Sequence, residues 1–261
     1  MRILMVGDVV GKPGRRTVSA LLPRLREEHQ IDLIIANGEN AAGGRGLTPS
    51  TASELFAAGV QVITSGNHIW TQREMLPLLD TKTPILRPLN YPNGVPGRGY
   101  LTISIPGTEV TIVNLIGRVF MGEFESPFLA IDHVLAATPR NVPVIVDFHA
   151  EATSEKQALG WYLAGRAVAV LGTHTHVATA DTRILSPGTA YVTDVGMVGP
   201  ARSVIGAKVD DVIPHFVTSL PTRFEVADGP TMFNSVLVDV DAQQTKATAI
   251  RRIDRWSEGE R

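Results

Sequence analysis

The sequence predicts an α/β fold in which two β-sheets pack together and helices cover the outside. Apolar runs typical of strands alternate with helical stretches over most of the first 180 residues, and strand pairs follow near the C-terminus. The 261 residues are 44% apolar, enough for one domain with a large core. No repeat, low-complexity tract or linker divides the chain. We therefore expect a single domain over residues 1–261.

The N-terminal half alternates strand and helix. Strand-like runs cover 2–8, 32–40 and 60–68, with a shorter run at 84–88, and helical stretches cover 12–30, 48–59 and 71–80. The 48–59 helix has clear boundary signals: Thr48 as the cap, Pro49 at the first helical position and Gly59 as the stop. These signals predict a helix that connects two parallel strands.

The remaining chain begins with a hairpin and ends mostly in β-structure. The hairpin covers 99–117 and turns at Pro106-Gly107. A helix near 128–137, a strand at 142–150, a capped helix at 153–165 and a strand within 167–176 follow. After residue 180 we expect further hairpins at 182–196 and 235–254, and fraying of residues 255–261.

Composition and charge exclude several classes of protein and site. The absence of cysteine excludes disulfides and thiolate metal ligands, and the net charge of −2 argues against a stable complex with long nucleic acid. No apolar run approaches the roughly 18 residues of a membrane helix, and the N-terminus is no secretory signal. The sequence also lacks a P-loop and a serine-hydrolase elbow. We expect a cytoplasmic protein without membrane contact, and the sequence leaves homo-oligomerisation open.

Oxygen- and nitrogen-bearing side chains stand where five of the apolar runs end. They are Asp8, Glu39 with Asn40, Asn67 with His68, His149, and His174 with His176. Each alone has an ordinary explanation as a helix cap, a turn residue or a buried histidine. The carboxyl ends of parallel strands lie at one edge of a sheet, where ligands bind, so we expect the eight side chains to meet. His29, His133 and His215 lie outside the pattern.

The types of side chain in this set indicate a pair of divalent metal ions. Carboxylate, amide oxygen and imidazole bind first-row metals, and a pair of such ions attracts phosphate and lowers the pKa of a bound water. Among the set, Glu39 is the candidate to bridge both ions. The pattern therefore favours a hydrolase that acts on phosphate esters.

These motifs resemble the calcineurin-like metallophosphoesterase superfamily. The relevant stretches are "GNH" (66–68), "FH" (148–149) and "GTHTH" (172–176). Two departures, Asp8 without a histidine two residues later and Glu39 in place of the usual aspartate, match a narrower bacterial branch. That branch is the YmdB-like 2′,3′-cyclic nucleotide phosphodiesterases. The chain resembles it in "GDVVGKPGR", "NGENAAGG", "SGNHIW", "DFHAEATSEK" and "GTHTHVATAD".

The resemblance implies a four-layer α/β/β/α sandwich and a role for each residue. Asp8, Glu39, Asn40 and His176 would hold one metal ion, and Glu39, Asn67, His149 and His174 the other. His68 would be the proton donor. The implied metal is iron, with manganese as the alternative, and the implied substrate is a small phosphate ester such as 2′,3′-cyclic AMP.

Three other functions stay open at this point. A phosphomonoesterase or a nuclease could use the same two metal ions, and a regulatory protein could bind them with little turnover. The loops at 40–47 and 117–124 are candidates for contact with substrate, and the sequence does not decide this.

Overall fold

A computed structural model describes residues 1–258 of the chain. Its strands are β1 (Arg2–Val6), β2 (Asp8–Val9), β3 (Leu33–Asn37), β4 (Val62–Thr64), β5 (Tyr100–Ile105), β6 (Thr108–Ile116), β7 (Val144–His149), β8 (Ala169–Thr173), β9 (Arg183–Leu185), β10 (Thr189–Val192), β11 (Met197–Pro200), β12 (Thr231–Phe233), β13 (Ser235–Asp241), β14 (Lys246–Arg252) and β15 (Arg255–Ser257). Its α-helices are α1 (Gly11–His29), α2 (Pro49–Ala57), α3 (Leu76–Leu79), α4 (Pro127–Ala137), α5 (Thr153–Tyr162) and α6 (Val209–Thr218). In none of these helices is an apolar stretch long enough to cross a membrane.

Two large sheets form the centre of the molecule. The first has the order β14-β13-β1-β3-β4, with β1, β3 and β4 parallel. The second has the order β5-β6-β7-β8-β10-β9, with β6, β7, β8 and β10 parallel. Antiparallel pairs lie at both edges of the second sheet and at one edge of the first, whose other edge is the parallel strand β4. The predicted hairpins at 99–117, 182–196 and 235–254 are these edge pairs.

The buried apolar side chains form three layers, because successive side chains of a strand point to opposite faces of its sheet. Ile3 and Met5 of β1 join Ile112 and Leu171 between the two sheets. The intervening Leu4 and Val6 face the opposite way and pack with residues of α1 and α2. On the far side of the second sheet, residues of β7 pack with residues of α4 and α5. Because side chains alternate between the two faces of a strand, each sheet buries both faces. This arrangement confirms the predicted α/β/β/α sandwich.

A third, smaller sheet was not predicted. It has the order β15-β12-β11-β2, and it forms because the expected strand at 2–8 breaks at Gly7. A Cβ at Gly7 would lie 2.0 Å from the carbonyl oxygen of Gly196, so only glycine allows this approach. The chain then continues as β2, whose first residue, Asp8, pairs with Met197. The break sets Asp8 at the start of a new strand beside β11.

The C-terminal third agrees with one prediction and contradicts another. The region after residue 180 was expected to be mostly β, and strands β9 to β15 confirm this. The helix α6 within it was not predicted, because Pro214 and several exposed apolar residues obscured its helical pattern. Residues 255–261 were expected to fray, but Arg255–Ser257 pair with β12 as β15. The last three residues of that prediction, 259–261, lie outside the described residues.

Smaller corrections concern short segments of the N-terminal and middle regions. The 84–88 run makes only isolated bridges through Ile85 and Leu86, because the prolines at 84 and 88 have no N–H to donate to a strand ladder. The 71–80 stretch is a 3₁₀ turn followed by the short helix α3. The helix α5 begins after Ala152, which has no capping side chain, whereas Thr48 caps α2 as predicted.

Candidate metal centre

The eight predicted side chains come together at the carboxyl edges of the two large sheets. Asp8, Glu39, Asn40 and His149 are buried, whereas Asn67, His68, His174 and His176 are partly exposed. The first four side chains are therefore screened from water, and the other four form the solvent-exposed side of the group. The expectation that distant strand ends meet is therefore fulfilled in the fold.

One group of ligand-type atoms surrounds Nε2 of His149. Glu39 Oε1 lies 3.0 Å from this nitrogen, Asn67 Oδ1 lies 3.2 Å from it and His174 Nδ1 lies 3.0 Å from it. A ring nitrogen can donate only one hydrogen, so it cannot satisfy a carboxylate, an amide oxygen and a second imidazole together. Such a set of converging lone pairs fits a cation. Potential ligand atoms of Glu39, His149 and His174 lie within 4.8 Å of one another.

The second group lies around Asp8. Its Oδ1 is buried and has no hydrogen-bond partner among the described residues, which is costly for a carboxylate. His176 Nε2 lies 3.8 Å from this oxygen. Asn40 presents Nδ2 to His176 Nε2 at 3.0 Å, so ligation by its oxygen requires the amide to turn by half a rotation. With that rotation, the donor set fits a second cation.

The charges of the buried groups also favour a cation. Burial disfavours a charged imidazole, but the nearby Glu39 and Asp8 carboxylates outweigh it and raise the pKa of His149 to about 9. Burial opposes ionisation of Glu39 too, yet the charge and hydrogen bond of His149 lower its pKa to about 2. Burial and the neighbouring His149 lower the pKa of His174 to about 3, which leaves that ring neutral. Burial raises the pKa of Asp8. The pocket therefore attracts positive charge and offers a free imidazole lone pair.

The backbone next to the site is packed too closely for any side chain at Gly66. A Cβ there would lie 2.1 Å from Cδ2 of His149 and 2.4 Å from Oε2 of Glu39. Glycine thus lets the chain after β4 pass directly against these two residues before it delivers Asn67 and His68.

His68 lies on the solvent-exposed side of the site. Its backbone N–H donates to Glu39 Oε2 at 3.0 Å, and its Nδ1 lies 2.9 Å from Asn40 Oδ1. In this orientation of the Asn40 amide, Nδ1 donates to its oxygen. The half rotation that would turn this oxygen toward a cation presents Nδ2 to the ring instead, and Nδ1 then accepts. In both orientations the Asn40 amide occupies Nδ1, and Nε2 is left for another partner. The side chain is 24% exposed, and burial lowers its pKa. These contacts fix the ring while one nitrogen remains accessible.

A second layer of residues orients the histidines, and sequence reasoning missed it. Thr173 Oγ1 lies 2.9 Å from His149 Nδ1 and donates to Asp147 Oδ1 at 2.7 Å. Glu151 Oε2 lies 3.2 Å from His174 Nε2. The Nδ1 of His176 donates to the backbone carbonyl of residue 205 at 2.8 Å. Such partners fix the tautomer and direction of metal-binding imidazoles. One of these residues could have been found from the sequence, because Asp147 is a charged residue within the apolar run "VIVDFH".

The three remaining histidines lie apart from the centre, in agreement with the sequence analysis. His29 is near Glu28, at the end of α1, and His133 lies on α4. His215 lies on α6 and contacts the rings of Phe216 on the same helix and of Phe224 after it.

Comparison with known proteins identifies similar chains over nearly the whole length. A family model described as "YmdB-like protein" matches residues 4–253. A 2′,3′-cyclic-nucleotide 2′-phosphodiesterase of Bacillus subtilis is 48% identical, over 97% of this chain and 96% of the relative. A crystal structure of a hypothetical protein from Thermus thermophilus superimposes with a TM-score of 0.94 at 43% identity, covering 98% and 100% of the two chains. A structure of a novel phosphatase from Mycoplasma pneumoniae also gives 0.94, at 35% identity and 99% and 94% coverage.

Proposed function

We propose that this chain, which belongs to the YmdB-like family, is a metal-dependent phosphodiesterase that opens 2′,3′-cyclic nucleotides such as 2′,3′-cyclic AMP. The observation that carries the proposal is the convergence of Glu39, Asn67 and His174 on one nitrogen of His149. Beside them lies Asp8, whose Oδ1 has no hydrogen-bond partner among residues 1–258. The activity of the 48% identical Bacillus relative supports the choice of substrate.

The eight residues divide into two ligand sets and one proton donor. Glu39 belongs to both sets. Asp8, Asn40 and His176 complete one set, and Asn67, His149 and His174 complete the other. Two transition-metal ions, iron or alternatively manganese, would polarise the phosphate and lower the pKa of the attacking water.

His68 supplies the proton to the departing ribose oxygen in this proposal. The Asn40 amide occupies its Nδ1 in either orientation, through Oδ1 at 2.9 Å as described or through Nδ2 after the half rotation, so Nε2 is the nitrogen that can carry the transferred proton. Its backbone N–H bond to Glu39 holds the residue against the ligand that both sets share.

The remaining features of the proposal concern cell location, partners and organisation. We place the protein in the cytoplasm as a single domain over 1–261, with small phosphate esters as its partners. Long nucleic acid and membranes are not expected to bind stably, and a homo-oligomer is compatible with the sequence.

Parallel assays of one metal-loaded preparation test this function. We expect hydrolysis of 2′,3′-cyclic AMP to exceed that of 3′,5′-cyclic AMP and of a phosphate monoester. Chelation should abolish activity and re-addition of metal should restore it. Preferred hydrolysis of the monoester would favour a phosphatase, in line with the description of the Mycoplasma structure. Metal binding without turnover of any substrate would favour the regulatory alternative.

A further inference from the structure

The loop that carries His174 and His176 has an unfavourable backbone conformation. His174 has a φ of 101° and His176 a φ of 65°, values that residues with side chains rarely adopt. Such conformations persist only where surrounding contacts hold them. Thr175 lies between the two histidines, so contacts to this residue hold the backbone from which both rings extend.

The carboxylate of Asp194 makes those contacts. Its Oδ2 accepts from the backbone N–H of Thr175 at 3.1 Å and from the Thr175 hydroxyl at 2.8 Å. Its Oδ1 accepts from the N–H of Gly196 at 2.8 Å, and the carbonyl of Gly196 accepts from the N–H of Asp8 at 3.0 Å. One carboxylate thus connects the histidine loop to the strand that carries Asp8.

Lys156 of α5 completes this network. Its Nζ donates to Asp194 Oδ2 at 2.6 Å, and both side chains are 1% exposed. A buried ion pair is weak evidence for stability, because its desolvation often offsets its attraction and an apolar pair could replace it. Here the pair has a local use: the lysine is one of four donors on the Asp194 carboxylate, and it holds the oxygen that also accepts both hydrogen bonds from Thr175.

The two histidines beside Thr175 face different ligand sets. His174 Nδ1 lies 3.0 Å from His149 Nε2, whereas His176 Nε2 lies 3.0 Å from Asn40 Nδ2. We propose that the Lys156–Asp194 ion pair is a positioning device for the metal centre, which fixes Thr175 so that its two neighbours serve opposite sets. This inference rests on the two-cation centre proposed above.

Titration with Mn²⁺, followed by the electron paramagnetic resonance of free and bound ions, tests the inference. Lys156→Met removes the lysine charge, and Thr175→Val removes only one hydroxyl donor. We expect about 10- to 100-fold weaker Mn²⁺ binding in Lys156→Met and about tenfold weaker binding in Thr175→Val, the range typical of outer-shell partners. Circular dichroism establishes that each variant is folded.

Leu159→Ala is the matched control. Leu159 lies on the same helix, is fully buried and belongs to the apolar layer outside the second sheet. Its truncation lowers stability and should leave Mn²⁺ affinity unchanged. If Leu159→Ala weakened Mn²⁺ binding as much as Lys156→Met does, the weaker binding would result from a general loss of stability, and the inference would be wrong.

Two further results separate this inference from the proposed function. If the wild type binds two Mn²⁺ ions and a folded Thr175→Val variant binds them equally well, the positioning role is wrong and the centre stands. If the wild type itself does not bind two ions, both the centre and the positioning role are wrong. Thr175→Val keeps the test decisive even if Lys156→Met does not fold.

Discussion

Substitution of Gly66 by alanine should disable the centre through a single added methyl group. The new Cβ would lie 2.1 Å from Cδ2 and 2.2 Å from Nε2 of His149, and 2.4 Å from Oε2 of Glu39. An ordinary contact between such atoms is roughly 3.5–4.0 Å, so one side must move by more than about 1 Å. His149 is fully buried and held by Thr173 at 2.9 Å, which leaves it little space.

The expected loss follows from that displacement. A misplacement of about 1 Å can cost roughly 100-fold in rate, and overpacking costs about 1–3 kcal/mol of unfolding free energy. We therefore expect Gly66→Ala to lose about 100-fold or more in kcat/KM toward 2′,3′-cyclic AMP, together with part of its bound metal. Steady-state kinetics and elemental analysis of the folded variant measure both.

Gly107→Ala is the control for this prediction. Gly107 also has a backbone that favours glycine, with a φ of 86°, but it lies in the β5–β6 turn, where an added Cβ meets nothing within 4 Å. The control should lose some stability and keep its activity and metal. Wild-type kcat/KM and two metal ions in Gly66→Ala would refute the reasoning.

Three further predictions concern the proton donor, one ligand and surface charge. His68→Ala should lower turnover by about 10²- to 10⁴-fold with metal content retained, and loss of metal would instead identify His68 as a ligand. His174→Ala removes a ring nitrogen that lies 3.0 Å from His149 Nε2, so this variant should retain fewer than two metal ions per chain. Normal metal content with full activity would show that His174 is not a ligand. Hydrogen bonds from Tyr162 and Arg166 hold the pKa of Asp132 below its ordinary value. The Asp132 carboxylate therefore increases the free energy of unfolding at pH values above its unfolded-state pKa of about 3.9. This contribution disappears as the pH falls through the folded-state pKa. Because the pair is exposed, Asp132→Asn should cost only about 0–1 kcal/mol at neutral pH, measured by urea unfolding. That cost should vanish in strong acid, and a cost that grew with acidity would contradict the assignment.

The layered fold and the position of the site could be predicted because both depend on local patterns. The end of a strand is visible in the sequence as the end of an apolar run, and the carboxyl ends of parallel strands lie together at one edge of a sheet. The prediction placed Glu39 at the centre from its position after β3 alone, and its carboxylate contacts both His68 and His149.

Features that depend on distant pairing could not be predicted in the same way. The break at Gly7 reflects the approach of Gly196 from the other end of the chain. Lys156 stands beside Glu155 in an ordinary helical stretch, and only its partner Asp194, 38 residues later, accounts for its burial. The helix α6 was missed because its exposed apolar residues resemble those of a strand.

Anomalous X-ray scattering from crystals of protein purified without added metal would locate any bound ions. We expect two metal peaks per chain near Glu39, one beside Asp8 and His176 and the other beside Asn67, His149 and His174. A single peak, peaks at other side chains or no peak would contradict a two-metal hydrolase.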